Sequence, residues 1–458
     1  MNFALIAVDT YQDPTKKLFT YSIPENLHNS AQEGAKVKIP FGRRQVEGYI
    51  WQLTNKKPPF PVKPLQEVKG QTFFPHQVRL AHWMVSYYLG SPLDCLKCQI
   101  SEKGEREATT PVKEVTTLLL VPFASQVKIR AAIEKQKGNK VLVGSRAAVF
   151  AQLPNLKKIV IEEPENWNYK DERAPYYHAA AVVKKRAGLE NLKVEVKPFL
   201  PSVEAYAENP KPLPRLNRIG IIDLTLEKAA GNFSFVSQEL KNTLKRQSST
   251  LIYSSSKVLQ HSVKEELQNQ GFSPNIFTIA GPEIFAFTGL ETNSIIWIDA
   301  DTLLNLPDFR AHEKLVYTAA KLKNLAKKNL FIQTQFPHHP LFTDLSQGKL
   351  ANLYQRELED RKKLNYPPFA TLLKLSFASR SAVKTTQESE KLAEGLANLT
   401  KNFKGLEISP FYEPYQPKPG IYQLNLAIKI RNGEEILNKI VPLIPTGWRA
   451  DRDPESLL

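Results

Sequence analysis

At 458 residues the chain is too long for one hydrophobic core, so several domains are expected. With 42% hydrophobic and 24% charged residues it has a globular composition, not that of a disordered or fibrous chain. It carries 62 Lys and Arg against 46 Asp and Glu, a formal net charge of +16. That balance favours a polyanionic partner, nucleic acid first, because each phosphate neutralised by Lys or Arg releases counterions.

MNFALIAV is apolar but short, lacks a basic leader and runs into Asp9, so it reads as a first β-strand and not as a secretion signal. No apolar run reaches the roughly 18 residues that read as a membrane span, and a cytoplasmic protein is expected. The runs LFTYSI, AKVKIPF and VEGYIWQL follow, separated by Pro24, Gly34, Gly42 and the proline-rich KKPPFPVKP. They predict a small β-rich domain over 1–72. PHQVRLAHWMVSYYLG places Val78, Ala81, Val85 and Leu89 at helical spacing and ends at Gly90. Cys95 and Cys98 are the only cysteines, which fits a reducing compartment. Tetrahedral zinc needs four ligands, no second pair exists, and His76 and His82 lack the spacing, so these are structural thiols and no metal site is expected. Residues 101–115 are polar and read as a linker.

From residue 116 the pattern changes. TTLLLVP, KVLVGS and KKIVIEE are continuous apolar strands, with ASQVKIRAAIEKQ and HAAAVVKKRAG as helices between or after them. Such alternation implies a parallel sheet covered on both faces. ENPKPLPRL at 208–216 marks a boundary, and the alternation resumes with RIGIIDL, STLIYSS, SIIWIDAD and NLFIQT as strands. The helices of this second lobe are SFVSQELKNTLKR, VLQHSVKEELQNQ and a segment over 313–328. ANLYQRELEDRKK is a charged helix that stops at YPPF, and mixed strands and helices after it suggest a compact α+β terminal domain.

Two α/β lobes in a basic chain raise the question of a nucleic-acid motor. An ATP site would need a glycine-rich loop with lysine, a carboxylate for magnesium and an arginine from the second lobe. No G-x-x-x-x-G-K-[ST] occurs, and Gly138-Asn139-Lys140 precedes a strand, where it cannot place amides at a helix N-terminus. Glu162 and Glu163 end an apolar strand and could ligate magnesium in principle, but Pro164 is expected to restrict Glu163 to extended geometry. The helix over 314–328 holds lysines and no arginine, and lysine does not reproduce a bidentate guanidinium. No Ser/His/Asp or Cys/His triad takes their place, so no catalytic residue and no cofactor is assigned.

Several segments, in order along nearly the whole chain, resemble the primosomal protein N′ family, the bacterial replication restart helicases. FTYSIPE, AKVKIPFGRRQVEGYIW and SYYLGSP resemble that family's DNA 3′-end-binding domain. VGSRAAVFAQLPNLKKIVIEE and NYKDERAPYYHA resemble the surroundings of its DEEH box. DADTLLNLPDFRAHEK and FIQTQFPHHPLF resemble its second lobe, and RELEDRKKLNYPPFATL with RDPESLL its C-terminal domain.

The resemblance implies a β-rich DNA-binding domain (1–103), two RecA-like α/β lobes forming a degenerate helicase core (116–207 and 214–347), and a C-terminal α+β domain (351–458). It also locates departures. DEEH becomes Glu162, Glu163, Pro164 and Glu165; the arginine-finger segment falls on Asn324, Leu325, Ala326, Lys327 and Lys328. The Gly-Ser-Ala-Thr coupling motif becomes Lys197, Pro198, Phe199 and Leu200, and the zinc cysteines of the second lobe are gone. The implied activity is therefore binding of forked, 3′-ended or single-stranded DNA without helicase action, with restart or replisome proteins as possible partners. The family's 3′-end pocket falls on Phe19-Thr20-Tyr21, Pro40-Phe41-Gly42 and Lys63, with Arg43 and Arg44 beside it. Tyr21 is either a stacking platform or a core aromatic on an alternating strand, Gly42 permits close backbone approach, and the three cations could meet phosphates. Thr20 replaces the family's acid there.

Overall fold

A computed structural model describes all residues except 10–17, 101–113, 247–248, 288–289 and 432–433. Most of the expected linker at 101–115 thus lies outside the described residues. The chain forms two compact units: Met1–Pro122, Arg130–Lys197 and Ala370–Glu455 make the first; Phe123–Ile129, Pro198–Phe369 and Ser456–Leu458 make the second.

The first unit opens with β1 (Phe3–Asp9), β2 (Phe19–Ser22), β3 (Ala35–Phe41), β4 (Arg44–Thr54) and β5 (Glu67–Gln71). They form an antiparallel sheet in the order β2-β1-β4-β3-β5. Alternate side chains, among them Ile6, Val37, Ile39 and Ile50, fill its core, as a period of two requires. Residues 63–66 bridge two strands of the sheet. Ser22 N–H donates to Lys63 O at 3.1 Å, Leu65 N–H to Ser22 O at 2.9 Å, and Gln66 N–H to Lys38 O at 3.1 Å, so the edge strand β2 is tied to β3.

The helix Pro75–Tyr88 buries Val78, Ala81, Met84 and Tyr88. It stops one residue earlier than glycine placement suggests: Leu89 takes the left-handed cap at φ 59°. Gly90 is needed for a different reason, since a Cβ there would lie 2.5 Å from Pro175 Cβ. Next come β6 (Thr117–Leu120), β7 (Val141–Gly144), β8 (Lys158–Glu162) and β9 (Lys193–Lys197), parallel in the order β7-β6-β8-β9. Leu118, Leu120, Ile159 and Ile161 pack with Val182 and Val183 of the helix Ala179–Glu190.

In the second unit β10 (Ile219–Asp223), β11 (Thr250–Tyr253), β12 (Phe277–Ala280), β13 (Thr292–Trp297) and β14 (Ala326–Thr334) form a parallel sheet ordered β10-β14-β13-β11-β12. The helix Ala311–Leu325 begins two residues before the expected segment and ends three residues before its end, where Ala326, Lys327 and Lys328 open β14 and Lys323 Nζ caps the carbonyl of Ala326 at 2.9 Å. The charged helix Leu350–Lys363 lies in this unit, with Arg361 buried.

The chain then returns to the first unit. β15 (Thr371–Ser379), β16 (Leu406–Ile408), β17 (Tyr422–Ile430) and β18 (Arg449–Arg452) form an antiparallel sheet ordered β16-β17-β15-β18. Leu373, Leu375, Leu426 and Ile428 pack against Leu392, Leu396, Ile436 and Leu437 of two helices. Buried Lys170 anchors this sheet, donating to Arg452 O at 2.7 Å and Asp453 O at 2.9 Å, while Tyr87 O–H donates to Asp453 Oδ2 at 2.8 Å. The chain is thus a multidomain α/β protein with an antiparallel N-terminal sheet. Among the described residues, no helix is long and apolar enough to cross a membrane.

Candidate nucleic-acid interface

β3 and β4 are joined by a tight turn in which Phe41 pairs with Arg44 and Gly42 sits at φ +60°. A side chain would meet nothing within 4 Å there, so the backbone conformation, not space, selects glycine. Tyr21 supports the turn from the edge strand β2, its hydroxyl donating to Pro40 O at 3.0 Å. From the bridging segment, Lys63 Nζ reaches Gly42 O at 3.5 Å. Gly42, Arg43, Arg44 and Lys63 are all exposed. Residues up to 42 positions apart in sequence thus assemble one cationic end of the sheet with an open backbone turn at its centre.

Tyr21 has a different place from its neighbours. It is only 5% exposed, and burial pushes its phenol above the ordinary value. Of its two readings the geometry matches the core aromatic: the ring packs with Ile6, Val37 and Ile39, and the hydroxyl holds the turn. Phe19 and Phe41, which the resemblance includes in the pocket segments without a role of their own, are half-buried beside it in an edge-to-face pair with centroids 5.0 Å apart. The signal was present in FTYS and IPFG, but nothing local says that the two rings meet. Glu47 of β4 lies 2.6 Å from both Lys36 of β3 and Lys69 of β5, and their hydrogen bonds lower its pKa to about 2.

Replacing Tyr21 by phenylalanine removes one hydrogen bond and leaves the packing, so a stability loss of about 1 kcal/mol is expected in thermal unfolding. An unchanged melting temperature would show that the hydroxyl does not hold the turn.

Glu162 and Glu163 belong to the parallel sheet β7-β6-β8-β9 and the turn that follows its strand β8. Glu162 closes β8, and its Oε1 accepts from Arg130 Nη2 at 2.5 Å, with Lys197 Nζ at 3.9 Å. Glu163 is not extended, contrary to the expectation drawn from Pro164: it lies at φ +52°. A tight turn sets that conformation, since Glu163 N–H donates to Lys197 O at 2.7 Å and its carbonyl accepts from Asn166 N–H at 2.9 Å. The residue before proline is kept out of the right-handed helical region, and here the turn moves it to the left-handed one. Gly138, Asn139 and Lys140 lead directly into β7. Cys95 and Cys98 are free thiols, both pushed up in pKa by burial. Among the described residues, no group of three or more His, Cys, Asp or Glu side chains is placed to hold a metal ion.

Residues 6–101, which hold the basic turn, most of the antiparallel sheet and the helix Pro75–Tyr88, match the family described as a 3′ DNA-binding domain (3′BD) of PriA. The chain is similar to the replication restart protein PriA of Bacillus subtilis (strain 168), 21% identical over 371 residues, covering 57% of this chain and 46% of that protein. It is also similar to the PriA proteins of Borreliella burgdorferi (31% over 109 residues; 23% of this chain, 16% of the relative) and Synechocystis sp. (38% over 91 residues; 19% and 10%). The resemblance to PriA is therefore shown, and the matches span less than half the length of these relatives.

Proposed function

We propose that this protein is a DNA-binding factor of replication restart that engages forked, 3′-ended or single-stranded DNA and does not act as a helicase. The observation that carries the proposal is the convergence of Arg43, Arg44 and Lys63 on the open Gly42 turn, inside the segment that matches the 3′ DNA-binding domain. In this reading Arg43, Arg44 and Lys63 neutralise phosphates, and the Gly42 backbone approaches the terminal sugar. The two parallel sheets are RecA-like lobes kept as a scaffold, whose cores pack without phosphate chemistry. Restart or replisome proteins are the expected protein partners.

Fluorescence anisotropy with a labelled fork carrying a free 3′ end tests this. Binding should weaken with salt, and the triple replacement Arg43→Ala/Arg44→Ala/Lys63→Ala should lower affinity at least tenfold and flatten the log–log salt slope by roughly 2 to 3. No binding at low salt would sink the proposal. Thr20 supports a second reading. It replaces the acid that the resemblance assigns to 3′-OH recognition, and it pairs with Leu5 as an ordinary strand residue. A protein-interaction scaffold without its own DNA binding would then give partner capture in a pull-down with purified replisome proteins and no anisotropy change.

A further inference from the structure

The sheet β7-β6-β8-β9 ends on β9, with no strand paired to its outer side among the described residues. Strands covered on both sides and both faces read as apolar runs; β9 instead reads Lys193-Val194-Glu195-Val196-Lys197. Its backbone direction follows from two hydrogen bonds. Lys193 N–H donates to Lys157 O at 3.0 Å, and Lys197 O accepts from Glu163 N–H at 2.7 Å, so residues 193 and 197 turn their polar groups toward β8. With a period of two, Glu195 does the same, while Val194 and Val196 turn their N–H and C=O outward.

The side chains agree. Val194 and Val196 sit in register with Ile159 and Ile161, which are 0% and 1% exposed, yet the valines are 38% and 49% exposed. They extend an apolar stripe of the core past the sheet edge into solvent. On the other face, Glu195 is held by Lys158 and Lys197. With Lys193, this face of β8 and β9 carries three lysines against two carboxylates, Glu195 and Glu162, and Glu162 is also paired with Arg130, so the edge keeps an excess of positive charge.

We infer that the outer edge of β9 is a docking site for an extended, acidic segment of a partner protein, which adds as a fifth strand. Backbone pairing with Val194 and Val196 requires an extended chain. Its alternate residues would be apolar, to cover the two valines, and the residues between them acidic, to face Lys158, Lys193 and Lys197. A second copy of the chain fits worse, because like edges would bring lysines together in a protein of net charge +16. Edge lysines in many proteins serve only to repel strands; here they select the sign of the strand that is accepted. This inference does not depend on DNA binding, since β9 lies outside the segment 6–101.

The test uses the full chain and a fluorescein-labelled peptide of alternating Val and Asp, about ten residues long. Saturable binding is expected, with no binding of an alternating Val–Lys peptide. Val196→Pro removes one outward N–H without touching the pairing to β8, and should weaken binding at least about tenfold. Lys193→Glu should weaken the Val–Asp peptide and strengthen the Val–Lys peptide; it keeps the test decisive if Val196→Pro fails to fold by circular dichroism. Three results would overturn the inference: no binding of the Val–Asp peptide, equal binding by wild type and Lys193→Glu, or a wild-type dimer in light scattering that Val196→Pro converts to monomer.

Discussion

Arg361→Ala is expected to lower the stability of the second unit by about 3–5 kcal/mol, the cost of leaving a buried charge without its partner. Arg361 is 2% exposed and donates to Glu357 at 2.8 Å, Glu204 at 3.1 Å, Glu313 at 2.9 Å and Pro367 O at 3.3 Å. Its guanidinium also lies 5.5 Å from the Phe309 ring centroid, and Phe309 stacks on Tyr366 at 4.9 Å. Alanine would leave Glu313 with the Arg310 guanidinium at 3.0 Å and the Val203 N–H at 2.9 Å, without the Arg361 charge. Lysine keeps the charge but cannot fork to several carboxylates, so Arg361→Lys should fall between alanine and wild type. Acid should act on the same cluster. Burial alone would raise the Glu313 pKa, but Arg310 and Arg361 outweigh it, and the net shift is downward from 4.5. A folded-state pKa below the unfolded one gives stability that is present above pH 4.5 and is lost as pH falls through the lowered value. Urea unfolding at pH 7 and pH 4 measures both effects. A loss below about 1 kcal/mol at pH 7 would place Arg361 among ordinary surface ion pairs and refute the assignment.

That cluster also shows what the sequence could not display. PDFRA-x-E and RELEDRKKLNYPPF stand out in the chain as marks of a family. Their physical reason appears only when Arg310, Glu313, Arg361 and Pro367 meet, with Glu204 joining from 157 residues before Arg361. The antiparallel N-terminal sheet was more legible, because AKVKIPF alternates with period two, VEGYIWQL holds a β-prone apolar run, and the turns between strands carry glycine and proline. The same alternation left Tyr21 undecided, since an inward aromatic on a half-buried strand looks like a binding platform until its neighbours are known. Short strands such as β9, β12 and β16 were missed. KVEVK, FTIA and LEI offer too few residues for a period, and their pairing is set by strands elsewhere in the chain. Glu163 escaped for a related reason: Pro164 predicts a backbone region, and a hydrogen bond to the distant Lys197 carbonyl selected another.

DNA-stimulated ATP hydrolysis is expected to stay at background, and Glu162→Gln/Glu163→Gln is expected to change nothing. Three pieces of physical chemistry converge on this result. First, the carboxylate that would hold magnesium already has a counter-charge, with Arg130 at 2.5 Å from Glu162. A divalent ion would have to displace a charge-assisted hydrogen bond before it gained anything. Second, β6 and β7 are followed by VPFASQ and SRAAVF, neither of which offers the glycine-rich backbone that cradles phosphates. Third, the segment on which an arginine finger would fall is partly strand, and Lys327 is engaged with Glu291 at 2.7 Å. An arginine finger is worth roughly 10³–10⁵ in rate, so its loss alone lowers phosphoryl transfer by that factor. Phosphate release measured with magnesium, ATP and forked DNA decides the point. Hydrolysis that rises with DNA and disappears in the double glutamine variant would establish a working site and overturn the proposal of a retained scaffold. Arg130→Ala sharpens the test: it frees Glu162 yet restores no hydrolysis if the phosphate cradle is what is missing, whereas a gain of activity would show that the ion pair had been masking a competent site.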